Sequence, residues 1–159
     1  MMYVSKYRDT EINFISDACA ELKYEAPEII EVPTANGMRL IIGCYRNRWY
    51  NVILADGRKR LTALQLRIRP QQNGRPVFEP HSYTRKPYRG NQYAEQLYRW
   101  ILDNGFILKS SGEQTAASHR LWAKLALTYK LRAFDNSTNK YTSLSRIDRD
   151  DVVLELSLK

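Results

Sequence analysis

A run of tight-turn signals cuts residues 29–84 into short apolar segments, and this punctuation constrains the fold more than any other feature. Asn36-Gly37, Asp56-Gly57 and Gln71-Gln72-Asn73-Gly74 each close one segment and open the next. Asn-Gly and Asp-Gly suit the two-residue turns whose twist matches that of paired antiparallel strands. The segments between them are Ile29–Val32, Arg39–Tyr45, Trp49–Ala55, Leu61–Ile68 and Arg75–Thr84, with Arg46-Asn47-Arg48 turning the second into the third. They are rich in Ile, Val, Leu and aromatic residues, as strands are. The spacing predicts an antiparallel meander. Alternation in Leu64-Gln65-Leu66-Arg67-Ile68-Arg69 predicts one wet face, and that face is basic.

After Arg89-Gly90 the period changes. Tyr93, Ala94, Leu97, Tyr98, Ile101 and Leu102 fall in pairs four apart, which defines one face of a helix. Asn104-Gly105 predicts its end, with Gly105 in a left-handed cap. Phe106–Leu108 reads as a short buried strand. Thr115 is placed to cap a second helix in which Leu121, Trp122 and Leu125 share a face. Lys130–Phe134 and Val152–Leu158 read as closing strands around a polar loop. A further helix is predicted from Thr10, with Ile12, Phe14, Ile15, Ala18, Cys19 and Leu22 on one side and Pro27 beyond its end. A strand, a crossover helix and a second strand over Arg75–Thr84, Gln92–Leu102 and Phe106–Leu108 imply at least one parallel pair.

Composition enters through charge. The chain has 159 residues and a net charge of +8. Residues 1–38 carry three basic and seven acidic groups, residues 39–89 twelve and two, and residues 90–159 ten and eight. The middle third therefore holds the excess, and its field attracts polyanions: nucleic acid, a phosphorylated cofactor or an acidic protein surface. Two cysteines, Cys19 and Cys44, form no cluster with histidine, so no zinc site is expected. No apolar run reaches the roughly 18 residues of a membrane span, and the first residues lack the apolar core of a signal peptide. A cytoplasmic location without membrane partners is the expectation.

The stretch Ser82-Tyr83-Thr84-Arg85-Lys86-Pro87-Tyr88-Arg89-Gly90-Asn91-Gln92-Tyr93-Ala94 lies where a strand ends and a helix begins. Helix N-terminal N–H groups lack helical acceptors, and with the helix dipole they form an anion site. Arg85, Lys86 and Arg89 add cations. Tyr88-Arg89-Gly90-Asn91-Gln92-Tyr93-Ala94-Glu95-Gln96-Leu97-Tyr98 resembles the acetyl-CoA signature of GNAT-fold N-acetyltransferases, Q/R-x-x-G-x-G/A. Arg89 stands at its first position, Gln92 at the central Gly and Ala94 at the last. Thr115–Leu125 resembles that family's second helix. The likeness covers about residues 75–135. The phrase Ile107–Thr115 followed by Leu121-Trp122 also resembles small phage-encoded proteins of this type, for which a host cytoplasm and a host partner would be implied.

The resemblance implies a single α/β (α+β) GNAT-like domain over residues 1–159, with a mixed, mostly antiparallel sheet flanked by helices. Its parts would be a helical portion at 1–38, a basic meander at 39–84, and the cofactor turn with the C-terminal part at 85–159. It implies acetyl-CoA as cofactor, held by Ser82, Tyr83, Thr84, Arg89, Gly90, Asn91, Gln92, Tyr93 and Ala94. It also implies transfer to an amine of a protein or small molecule, which needs a group to take a proton from the ammonium. Glu79, Glu113 and His119 are the candidates, with His81 a further titratable group. Ser110, Ser111, Gln114 and Trp122 are candidates to line the acceptor site. Two positions depart from the family. Gln92 replaces Gly, and Trp122 stands where a Tyr acid is usual; an indole N–H donates a hydrogen bond but gives up no proton. These departures, with the basic middle third, support an alternative: a catalytically impaired binding module acting on a partner protein or nucleic acid.

Overall fold

The computed structural model describes residues 3–4, 29–34, 36–45, 49–72, 74–84, 86–111, 113–114 and 116–159. The helix expected from Thr10, with Cys19, and the positions Arg46-Asn47-Arg48, Asn73, Arg85 and Thr115 lie outside the described residues. The strands are β1 (Tyr3–Val4), β2 (Ile29–Pro33), β3 (Arg39–Tyr45), β4 (Trp49–Asp56), β5 (Lys59–Gln72), β6 (Arg75–Thr84), β7 (Ile107–Lys109), β8 (Glu113–Gln114), β9 (Lys130–Asp135), β10 (Lys140–Thr142) and β11 (Val152–Ser157). Among the described residues there are two α-helices, α1 (Tyr93–Asp103) and α2 (Ala116–Leu125), and two single 3-10 turns.

Nine strands hydrogen-bond in the order β10-β9-β11-β7-β6-β5-β4-β3-β2. A two-stranded parallel pair joins β1 to β8. The expected α/β GNAT-like domain is thereby corrected: the molecule is dominated by a nine-stranded, mostly antiparallel sheet with two short helices among the described residues. The excess of strand has a local cause. β5 runs on for 14 residues through Pro70 and Gln72, and Lys140–Thr142, expected as loop, pairs with β9.

By contact density the chain divides into two units, one of Met1–Tyr7, Arg69–Glu79 and Arg99–Lys159, the other of Arg8–Ile68 and Pro80–Tyr98. In the second unit, β2, β3, β4 and the first part of β5 form an antiparallel meander. Leu40, Ile41, Val52, Ile53, Leu54, Leu61, Ala63 and Leu64 are buried within it. Asp56 pairs with Lys59, so the two-residue loop is Gly57-Arg58 rather than Asp56-Gly57, with Gly57 at its first position taking a positive φ of 58.

In the first unit, β6 and β7 run parallel, Val77 opposite Ile107 and Phe78 opposite Leu108. β11 lies between β7 and β9, antiparallel to both, and all six of its residues are buried. Ile101 and Leu102 of α1 are buried, as the four-residue spacing requires. The helix ends in a Schellman motif. Gly105 N–H donates to Leu102 O at 3.0 Å, Phe106 N–H donates to Ile101 O at 3.4 Å, and Gly105 has φ 84.

The same unit holds a row of charges around one buried carboxylate. On β11, Glu155 stands opposite Lys109 of β7 on one side and Arg132 of β9 on the other. Its side chain is 0% exposed. Oε1 accepts from Arg132 Nη2 at 3.0 Å and from the Tyr141 hydroxyl at 2.8 Å. Gln72 Nε2 and Arg132 Nη2 both donate to that hydroxyl, at 3.1 and 2.8 Å. Lys109 Nζ sits 3.4 Å from the centre of the Phe134 ring. Burial pulls the Lys109 pKa below the usual lysine value, with Glu155 opposing that shift and Arg69 adding to it. Arg69 and Glu79 pair at 3.8 Å.

Candidate functional site

The turn before α1 is built by two left-handed residues. Gly90 has φ 85 and Gln92 has φ 62. Asn91 fixes the loop between them, its Nδ2 donating to Tyr88 O at 3.1 Å. The first helical bond runs from Gln96 N–H to Gln92 O at 3.1 Å. The N–H groups of Tyr93 and Ala94 therefore precede any helical acceptor. A left-handed residue at this junction is the geometry in which successive N–H groups form a concave anion cradle. Beyond its chain neighbours, no atom lies within 4 Å of where a Cβ on Gly90 would stand.

Gln92 resolves the question raised by the missing central Gly. The position does take the left-handed conformation, and a glutamine bears it, at a cost of about 1–2 kcal/mol. Gln92 is exposed, as are Arg89, Gly90 and Asn91, while Tyr93 and Ala94 are half-buried. Glu95, in the first turn of α1, is buried and already places one carboxylate near the positive end of the helix dipole.

The end of β6 is tied to the turn. Arg89 donates from Nε to Thr84 O at 3.1 Å and from Nη2 to the Tyr83 hydroxyl at 3.0 Å. Its guanidinium also lies 5.3 Å from the centre of the Tyr83 ring. Tyr83 is buried, and its carbonyl accepts from Thr62 Oγ1 at 2.7 Å. Thr84 Oγ1 donates in turn to Thr62 Oγ1 at 2.9 Å. Ser82 is exposed, with its hydroxyl 3.4 Å from that of Tyr98. All nine residues expected to hold a cofactor therefore lie within one unit, and Arg89 links the strand end to the helix start.

The expected catalytic and acceptor residues fall in the other unit. Glu79, on β6, is paired with Arg69. His119 is exposed on α2. Glu113 and Gln114 form β8 with β1 as their partner; their side chains lie outside the described residues. Ser111 is half-buried and His81 exposed. Two of the acceptor candidates have structural work instead. Ser110 is buried, its Oγ accepting from Leu154 N–H at 2.9 Å while its own N–H donates to Leu154 O at 2.8 Å. This side chain supplies an acceptor that the short strand β7 lacks beside β11. Trp122 is 2% exposed and belongs to the core, as a large residue on the inner face of a helix does.

Residue-level reading missed the charged row of Lys109, Arg132, Tyr141 and Glu155. The one available signal was Glu155 within the apolar run Val152–Leu158. A single charge there marks either a wet face or a paired buried group, and only the register on β7 and β9 separates the two.

Among the described residues no group of three or more His, Cys, Asp or Glu side chains is placed to hold a metal ion. Among them, too, no helix is long and apolar enough to cross a membrane. Cys44 is a half-buried thiol in no disulfide. No family model matches the chain, and no curated protein matches it.

Proposed function

We propose that this protein binds acetyl-CoA through the turn Arg89–Ala94 and passes the acetyl group to an amine. The observation that carries the reading is the left-handed Gln92 directly before α1, following left-handed Gly90. A pyrophosphate suits the free N–H groups of Tyr93 and Ala94, the helix dipole and the exposed Arg89. The end of β6, at Ser82–Thr84, would take the pantetheine arm. Bound there, acetyl-CoA supplies a thioester carbonyl; the amine nitrogen bonds to that carbon as the carbon–sulfur bond breaks. The proton of the attacking ammonium needs a base.

A second reading has its own observation. Trp122, at the position where the family has its Tyr acid, is buried in the core, and an indole N–H gives up no proton. Under this reading the protein is a binding module without chemistry, acting on a macromolecular partner in the host or cell. Calorimetry with acetyl-CoA followed by mass spectrometry of mixed amine acceptors separates the two. Saturable heat with acetylated product supports transfer, and heat without product under any acceptor supports the binding module. No heat with cofactor at about 1 mM contradicts the cofactor reading itself.

A further inference from the structure

The β4–β5 turn gathers positive charge for reasons unrelated to the cofactor turn. Arg39 of β3 lies opposite Ala55 of β4, and Ala55 lies opposite Arg60 of β5. The two arginines thus flank one small residue on strands two apart, about 10 Å between backbones. A register shift between Leu54 and Ala55 makes this so. Leu54 faces Thr62 while Ala55 faces Arg60, so Leu61 is the extra residue of a bulge. Without it Arg60 would turn to the other face.

Both guanidiniums converge on one oxygen. Arg39 Nη2 donates to Gly57 O at 3.0 Å and Arg60 Nη1 to the same atom at 3.5 Å. Arg58 and Lys59, at the tip of the turn, are exposed. The nearby carboxylates are Glu31, whose Oε2 is 4.0 Å from Arg39 Nη1, and Asp56, paired across the turn with Lys59. Four cations against two carboxylates leave the turn positive. Arg39 Nε is buried without a hydrogen-bond partner. A shared carbonyl uses one N–H of each guanidinium, and each has five.

Like charges held this close repel unless an anion joins them. The planar forks of two arginines match phosphate oxygens better than they match a lone carboxylate. The two-residue loop Gly57-Arg58 keeps the tip narrow, which lets it approach a polymer backbone. We infer that the β4–β5 turn is a contact site for the phosphodiester backbone of nucleic acid, read without regard to base sequence. The inference does not depend on acetyl-CoA binding, and either claim can fail alone.

The test is fluorescence anisotropy of the full chain with single-stranded and duplex oligonucleotides of about 20 nucleotides, between about 50 and 200 mM salt. Wild type is expected to bind, with affinity falling at least about tenfold over that range. The double variant Arg39→Gln/Arg60→Gln should bind about tenfold more weakly, with a salt slope shallower by about two. Arg58→Gln/Lys59→Gln, at exposed tip positions, should weaken binding in the same direction and covers the case in which the first pair fails to fold. Arg146→Gln/Arg149→Gln, on exposed positions of the other unit, should bind like wild type. Absence of binding at the lowest salt, or equal binding by the tip variant and wild type, overturns the inference. So does competition by polyglutamate as effective as by nucleic acid, since that outcome assigns the turn to an acidic protein surface.

Discussion

The row Lys109–Glu155–Arg132 and the β4–β5 turn contain the same kinds of charged residue and use them in opposite ways. In the row, signs alternate across neighbouring strands β7, β11 and β9. A fully buried carboxylate is tolerated there because Arg132 and Tyr141 saturate one of its oxygens. In the turn, like charges gather instead, Arg39 and Arg60 half-buried and Arg58 and Lys59 exposed. The difference teaches what a buried ion pair does for a sheet. It adds little net stability, but removing one member strands the other, which fixes the strand order that brings the two together.

Breaking the row should therefore have the largest effect. Glu155→Ala leaves Arg132 and Lys109 without their shared partner and should cost about 3–5 kcal/mol in urea unfolding. The double variant Glu155→Leu/Arg132→Met should recover most of that loss. If it is no better than Glu155→Ala, the row stabilises by its charges and the comparison with the turn fails.

Tyr141→Phe comes next, at about 1 kcal/mol near neutral pH, from the lost hydrogen bond to Glu155. It has a pH signature. Burial first, and then the bond to Glu155, raise the Tyr141 pKa above 10.0. Burial and the bond to Asp103 likewise raise Tyr129. In the unfolded chain these phenols ionise first, so their contribution is complete below pH 10 and is lost as pH rises through the folded values. Lys109 acts in the opposite direction, because its lowered pKa makes stability rise with pH as it discharges below 10.5. Stability should fall above pH 10 in wild type, and less steeply in Tyr141→Phe. Equal alkaline limbs would contradict the assignment.

Gln92→Gly should raise stability by up to about 1 kcal/mol, since it relieves a left-handed glutamine. A loss instead would mean that the glutamine side chain holds the turn. At the exposed end of the comparison, Glu31→Gln should change stability by no more than a few tenths of about 1 kcal/mol, because its contact with Arg39 is long and wet.

Much of the sheet was legible from residues. β3 and β6 match Arg39–Tyr45 and Arg75–Thr84 because Gly and Asn residues mark their ends. α1 follows from pairs of apolar residues four apart. β10 was not legible. Lys140-Tyr141-Thr142 has the composition of a loop, and it becomes a strand through Tyr141, which packs edge-on against Phe134 at 5.4 Å and bonds to Glu155. β5 beyond Ile68 was hidden for the same reason: Gln72 is held by Tyr141, distant in the chain, and Arg69 by Glu79 on the next strand. The resemblance to a known family singled out the turn Arg89–Ala94 but overstated the helical share of the fold. It also assigned Trp122 to an acceptor site, because a buried helix face and a site-lining face carry the same apolar pattern.

The central claim is that the turn Arg89–Ala94 holds a pyrophosphate-bearing cofactor, and titration calorimetry with acetyl-CoA on wild type and Gln92→Gly tests it most directly. The account predicts saturable binding to both, with the glycine variant at least as tight because the backbone shape is kept. Binding to neither, or binding lost in Gln92→Gly while that variant remains folded, would contradict it.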